Sequence, residues 1–245
     1  MNIDLKQISG TLGIDSYDIR AVYFPVLCNM LFVIIVCWSF LKSYAIKLSE
    51  LDWNNTIIRI MGIIIFLLIT LLISRLSRYF SKQIIEKLYY GSKLYKFPTI
   101  RYLSPKSTEK SDAYRKRIVD KIEKDFLIKL PSNINSSKAR INFYLQANDA
   151  IGLIRKQVRD SSFNSMYIRK NIRYGACRNF IGGSIVVIIP EFICLVSEIE
   201  ATYLTLPIVA FSLHIIVVLT SCIMLPNLGK EYATELYDNY LNINK

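Results

Sequence analysis

Four long apolar segments, held apart as two pairs by a basic stretch of the chain, constrain this sequence more than any other feature. Residues 21–41 carry no charged side chain, 57–74 carry only Arg59, 180–197 carry only Glu191, and 202–225 contain no acid, Lys or Arg. A helix crosses the hydrocarbon core of a bilayer with roughly 20 such residues. Backbone polar groups find no water there, so the spans must be helical. The expected fold class is an all-α integral membrane protein with four transmembrane helices in two hairpins and a helical cytoplasmic insert. The expected divisions are an N-terminal segment 1–20, a first hairpin 21–74, a basic helical region 75–179, a second hairpin 180–225 and a C-terminal tail 226–245.

Charge sets the orientation. Of the chain's charged residues, 24 Lys/Arg and 8 Asp/Glu fall within 75–178, which leaves 7 basic against 11 acidic residues elsewhere. Lys and Arg accumulate on the cytoplasmic side near span ends. Arg75, Arg78 and Lys82 follow span two, and Arg169, Lys170, Arg173 and Arg178 precede span three. The central region and both termini are therefore expected in the cytoplasm, with the connectors 42–56 and 198–201 outside. The lead 1–20 is polar and contains acids, and it lacks the positive start and small-residue cleavage site of a removable signal. Span one is thus expected to remain in the mature chain. Cys28, Cys37, Cys177, Cys194 and Cys222 lie in or beside the spans without a paired motif, so they read as small membrane residues, not as a disulfide framework or zinc site.

Beyond Ser74 the second span is expected to run on as a helix, with residues 76, 80, 84, 85, 88 and 89 forming its apolar face, and Gly91 ending it. FPTIRYL (97–103), bounded by prolines, is the one place where extended structure is expected. A helix over 111–128, capped by Ser111 and closed by Pro131, aligns Tyr114, Ile118, Ile122 and Phe126. Another, over about 137–160, aligns Ile141, Tyr144, Ala147, Ile151, Ile154 and Val158, and SSFNS follows it as a break. One-sided amphipathic helices need each other or a second subunit to cover their apolar stripes, and this predicts a homo-oligomer.

Glu191 is the costliest residue to place, because a carboxylate in a hydrocarbon core is expensive and usually functional. Counted inward from the span ends, Glu191 and the lone His214 reach similar depths on neighbouring antiparallel helices. They either line a polar path or latch, or form an interhelical hydrogen bond that fixes packing. Pro190 beside Glu191 withholds a backbone donor and favours a kink. Asn29 and Thr70 either face a pore or bond a neighbouring helix. Asn29, Glu191 and His214 are the pore or gate candidates. Gly182, Gly183 and Ser184 suit close helix approach. Ser184 and His214 also raise an intramembrane serine protease, but Ile185 follows the serine, so the GxSG pattern is absent. Helical rise further sets their depths about 10 Å apart. Arg169, Lys170, Arg173, Tyr174 and Arg178 are candidates for an anion or signal site, with Tyr167 and Tyr174 available to stack on a base; the alternative reading is a set of lipid-headgroup anchors.

No phosphate-binding glycine loop, dinucleotide fingerprint, HExxH or CxxC occurs. A single histidine excludes most His-based metal sites. No catalytic residue, metal or cofactor is assigned, and the chain is not expected to be an enzyme.

The runs FPTIRYL, YRKRIVDKIEKDFLIKLPS and IRKQVRDSSFNSMYIRKNIRYGACRNFIGGS, within 97–184, resemble a group of uncharacterised bacterial inner-membrane proteins, most distinctively at KLPS, VRD and NIRYGACRN. The layout of two spans, helical insert and two spans is similar to that of the four-span membrane effectors of bacterial anti-phage systems. That resemblance implies the bacterial inner membrane, a homo-oligomeric signal-gated pore, and a nucleotide second messenger or cytoplasmic defence protein as partner. Direct nucleic-acid binding is not expected. The alternative is a non-conducting anchor or scaffold that recruits a cytoplasmic protein or nucleic-acid partner.

Overall fold

The computed structural model describes residues 16–36, 56–91, 96–161, 165–197 and 205–243. The expected outward connectors lie outside the described residues apart from Thr56, as do Cys37, the segment before Ser16 and the side chain of Arg59. Helices α1 (Ser16–Val36), α2 (Thr56–Phe80), α3 (Pro98–Leu103), α4 (Asp112–Phe126), α5 (Ser137–Asp160), α6 (Ser165–Val196) and α7 (Thr205–Asn242) follow in order, with no strand among the described residues. Four helices are long and apolar enough to cross a membrane: Ser16–Val36, Ile60–Tyr90, Ser165–Val196 and Thr205–Asn242.

The chain divides into two compact units. The first comprises Met1–Ile85 and Gly175–Met224, the second Glu86–Tyr174 and Leu225–Lys245. Of the apolar windows, 39% of α1 and 44% of α6 are buried, against 17% of each of the other two, so α1 and α6 form the interior pair. The long apolar side chains of α2 and α7, such as Ile63, Leu68, Ile216 and Ile223, point outward, which suits lipid contact. At one end Val36, Cys194 and Ala210 close the core.

Proline explains an irregularity in α1. Pro25 has no N–H, so the ordinary helical bond back to the carbonyl of Ala21 cannot form. The helix widens to π geometry over Ile19–Tyr23, where the Phe24 N–H donates to the Ile19 carbonyl. The freed Ala21 carbonyl accepts from Asn179 Nδ2 at 2.6 Å.

A second π segment, Ser81–Ile85, links α2 to helical Glu86–Tyr90. Its inward face differs from the apolar face expected. Ser74, Ser77, Ser81 and Ile85 are buried, whereas Ile84 and Leu88 are exposed. In this part of the chain small hydroxyls allow close helix approach, and the extra residue of the π turn shifts the register. Gly182 shows how close that approach is: an added Cβ would lie 2.5 Å from the Ser77 carbonyl. Gly91 does end the helix, at φ 81°, with its N–H on the Lys87 carbonyl.

In the second unit FPTIRYL is helical over Pro98–Leu103, contrary to the extended structure expected. Pro98 occupies the first turn, where its missing N–H costs nothing and its fixed φ suits a helix. Pro98, Thr99, Ile100, Tyr102 and Leu103 are buried, so packing secures the short helix. Ser111 caps α4 by accepting from the Tyr114 N–H at 3.2 Å. The helix ends earlier than Pro131, through Leu127 in the left-handed region at φ 58°. On α5 the buried face begins at Phe143; Ile141 is exposed, and Ala147, Ile151, Ile154 and Val158 are buried as expected.

The C-terminal stretch 226–245, expected as a tail, is helical as far as Asn242, because α7 continues through Pro226. Tyr232, Ala233, Leu236, Tyr237 and Tyr240 are buried in the second unit. Tyr114 donates to Asp238 at 2.7 Å, Phe126 stacks on Tyr240, and Tyr237 donates to the Thr99 carbonyl at 2.5 Å. Ile118 and Ile122 are fully buried within a single chain. Their apolar stripe therefore needs no second subunit to cover it, contrary to the expectation from helix amphipathicity.

Candidate functional site

Asn29 on α1, Ser184 and Glu191 on α6 and His214 on α7 converge in the first unit, and all four are 0% exposed. His214 Nδ1 faces both carboxylate oxygens of Glu191, at 3.0 and 2.8 Å. His214 Nε2 lies 3.1 Å from Ser184 Oγ and 3.1 Å from Asn29 Oδ1. Phe32 lies parallel to the imidazole at 4.5 Å between ring centroids, and Phe180 meets it edge-on at 5.8 Å. The ring is therefore held on its faces by aromatics and at both nitrogens by polar groups.

Ser184 and His214 are thus in contact, not about 10 Å apart as rise along the helix predicted. Ser184 and Glu191 are seven residues, two turns, apart on one helical face. Side chains lean toward the N-terminus of their helix, so Glu191 reaches back toward Ser184 and the imidazole fits between them. Counting backbone rise neglected both the reach of the carboxylate and the width of the ring.

Serine, histidine and glutamate in this order also describe a nucleophile, a base and an orienting acid. The proton inventory decides against an activated serine. Asn29 Nδ2 donates to the Phe180 carbonyl at 3.0 Å, which fixes the amide with Oδ1 toward the imidazole. An amide oxygen accepts only, so we assign a hydrogen to Nε2, 3.1 Å from Asn29 Oδ1. Nε2 then cannot take the Ser184 proton, and that hydroxyl donates instead to the Phe180 carbonyl at 2.9 Å or to Asn29 Oδ1 at 3.0 Å. With Nε2 protonated, Nδ1 and Glu191 share one further proton. Either imidazolium faces carboxylate or neutral imidazole faces carboxylic acid, and the pair is electrically neutral in both forms.

A second buried polar cluster adjoins the first along α6. Ser81 Oγ donates to Asn179 Oδ1 at 2.7 Å, and Ser77 Oγ donates to the Asn179 carbonyl at 2.5 Å. Gly183 separates the clusters: a Cβ there would meet Asn29 Nδ2 and would lie 3.2 Å from Ser77 Oγ. Sequence reasoning missed Ser77, Ser81 and Asn179. The available signal was Ser74, Ser77 and Ser81 at helical spacing, on a different face from Arg75, Arg78 and Lys82. Thr70 joins neither cluster, because its hydroxyl donates to the Phe66 carbonyl of its own helix at 2.8 Å.

The five anion-site candidates do not converge. Arg178 is buried in the first unit, whereas the other four belong to the second. Arg169 and Arg173 are exposed, and Lys170 pairs with Glu231. Tyr174 is buried, donates to Glu86 Oε1 at 3.1 Å and stacks on Tyr232. Tyr167 is likewise buried against Tyr232. These two rings build the core of the second unit and are not open to a base. Among the described residues no group of three or more His, Cys, Asp or Glu could hold a metal. Comparison with protein-family models, curated proteins and solved structures finds no match to this chain.

Proposed function

We propose that the protein is a gated, ion-conducting effector of the bacterial inner membrane. In this reading the second unit receives a cytoplasmic signal, and the Asn29–Ser184–His214–Glu191 cluster holds the first unit closed. The observation that carries it is the fully buried Glu191–His214 pair. Well-packed apolar side chains often stabilise a protein as much as a buried ion pair or more, so packing alone is a weak reason to place a carboxylate and an imidazole there. Intramembrane ionisable residues usually mark ion paths or relays. The layout resemblance supports a role in anti-phage defence and a signal such as a nucleotide second messenger. The apolar outer faces of α2 and α7 suit either lipid or further copies of the chain.

A non-conducting anchor is the second reading, favoured by the mutual hydrogen bonding of the polar groups in the cluster. Expression in bacterial cells with a membrane-potential dye decides between the two. The effector reading expects depolarisation that Glu191→Gln alters at unchanged membrane abundance. An intact membrane potential at high expression and under phage challenge would support the anchor instead.

A further inference from the structure

We infer that the species conducted is the proton, and that its path runs inside one four-helix unit along α6, from Ser81 and Asn179 to Glu191. This inference rests on the conducting reading and narrows it.

Three observations carry it. First, the buried polar groups form a seam and not a scatter. Asn179 and Glu191 are twelve residues apart on α6, about 18 Å at helical rise, and Ser77, Ser81, Asn29, Ser184 and His214 lie along that length, all 0% exposed. Outside it α2 and α7 present apolar surface.

Second, the members are of the kind that pass protons. Ser81, Ser77 and Ser184 can each donate and accept, and His214 can pass its Nε2 hydrogen to Ser184 as Nδ1 takes a proton from Glu191. Chains of acidic groups and histidine serve as proton relays in membrane proteins. Asn179 and Asn29 cannot relay, but they orient the hydroxyls on either side of Gly183. Ser77 and Asn29 both abut Gly183 too closely to admit even an added Cβ, so the two halves are closed to each other here and join only when α1 and α2 part from Gly183.

Third, the seam does not suit a metal cation. Cation filters use rings of carbonyls or of acidic side chains with uncompensated charge. Here the Glu191 carboxylate lies 2.8 Å from imidazole Nδ1, and a proton shared between them compensates its charge. Contacts of 2.5–3.1 Å throughout the seam leave no room for a hydrated ion.

The test measures which ion moves in cells expressing the full chain that depolarise. With external pH below internal pH, cytoplasmic pH and cell potassium are followed together. The expected result is that cytoplasmic pH falls toward the external value first, with potassium leaving only afterwards as counter-charge, and that Glu191→Gln abolishes the acidification. Gly183→Ala should slow it by wedging Asn29 from Ser77. Because that variant risks misfolding, Ser184→Ala, which removes one relay hydroxyl and adds no bulk, serves as the second and should also slow it. Potassium loss in step with depolarisation, or wild-type acidification in Glu191→Gln, would overturn the proton path and leave conduction standing. Absence of depolarisation would remove the conducting reading, and this inference with it.

Discussion

Replacing His214 and Glu191 singly and then together separates the cost of an orphaned group from the worth of the pair. His214→Ala removes the partner of a carboxylate that is 0% exposed and also empties the slot between Phe32 and Phe180. Breaking a buried pair in this way costs about 3–5 kcal/mol. At about 1.4 kcal/mol per decade, that shifts the folding equilibrium more than a hundredfold. The double variant Glu191→Leu/His214→Phe leaves no orphan. The Ser184 hydroxyl can still donate to Asn29 Oδ1, and Asn29 Nδ2 keeps the Phe180 carbonyl. A phenyl ring suits the aromatic slot that the imidazole vacates. The double change should therefore lie between neutral and about 4 kcal/mol stabilising, the range seen when apolar residues replace buried pairs, and it should abolish conduction. Reversible unfolding in lipid–detergent mixtures, followed by circular dichroism, measures both. Single losses below about 1 kcal/mol, the value of an exposed ion pair, would show that the pair is solvated. Additive losses in the double variant would show that the two residues do not interact.

Two further outcomes concern the second unit. Ile118→Asp places an unpaired carboxylate at a fully buried position and should cost several kcal/mol. Limited proteolysis should then cut within 86–174 with no change in oligomeric state, and weakened assembly with an intact unit would return this face to a subunit interface. Burial, and then the hydrogen bond to Asp238, push the Tyr114 phenol well above its ordinary range, and burial also raises Tyr102. Folding thus favours the neutral phenols, so their stabilisation is complete below about pH 10, the unfolded value, and is lost as pH rises through and beyond it. Tyrosinate absorbance should appear together with loss of helix, and titration near pH 10 in a folded protein would contradict this.

The parts legible in the sequence were those set by periodicity and charge-free length. Four apolar runs became four long helices, and α4 and α5 formed where Ser111 and Ser136 could cap them. Other parts depended on partners distant in the chain. FPTIRYL carries little helical signal, but the tertiary packing of Ile100, Tyr102 and Leu103 makes it a helix. The C-terminal helix was readable in principle, since Ala233, Leu236, Tyr237 and Tyr240 recur at i, i+3, i+4 and i+7. A polar, charged surface in KEYATELYDNYL concealed that face. Glu191 and His214 stood out because ionisable groups are rare in apolar runs. Ser184 stood out only as a packing residue and a rejected nucleophile, and Asn179 not at all, because their importance lies in which nitrogen or oxygen they face, and sequence spacing carries no such information.

The shared proton is the central claim, and the lone histidine makes it directly observable. Protein labelled with nitrogen-15 histidine and placed in lipid bilayers gives solid-state magnetic resonance signals from a single imidazole, His214. Nε2 should bear a hydrogen that couples to the Asn29 side chain, and Nδ1 should show the shift of a proton shared with Glu191. A bare Nε2 with the hydrogen on Nδ1 alone would contradict the account, because it would free His214 to accept the Ser184 proton.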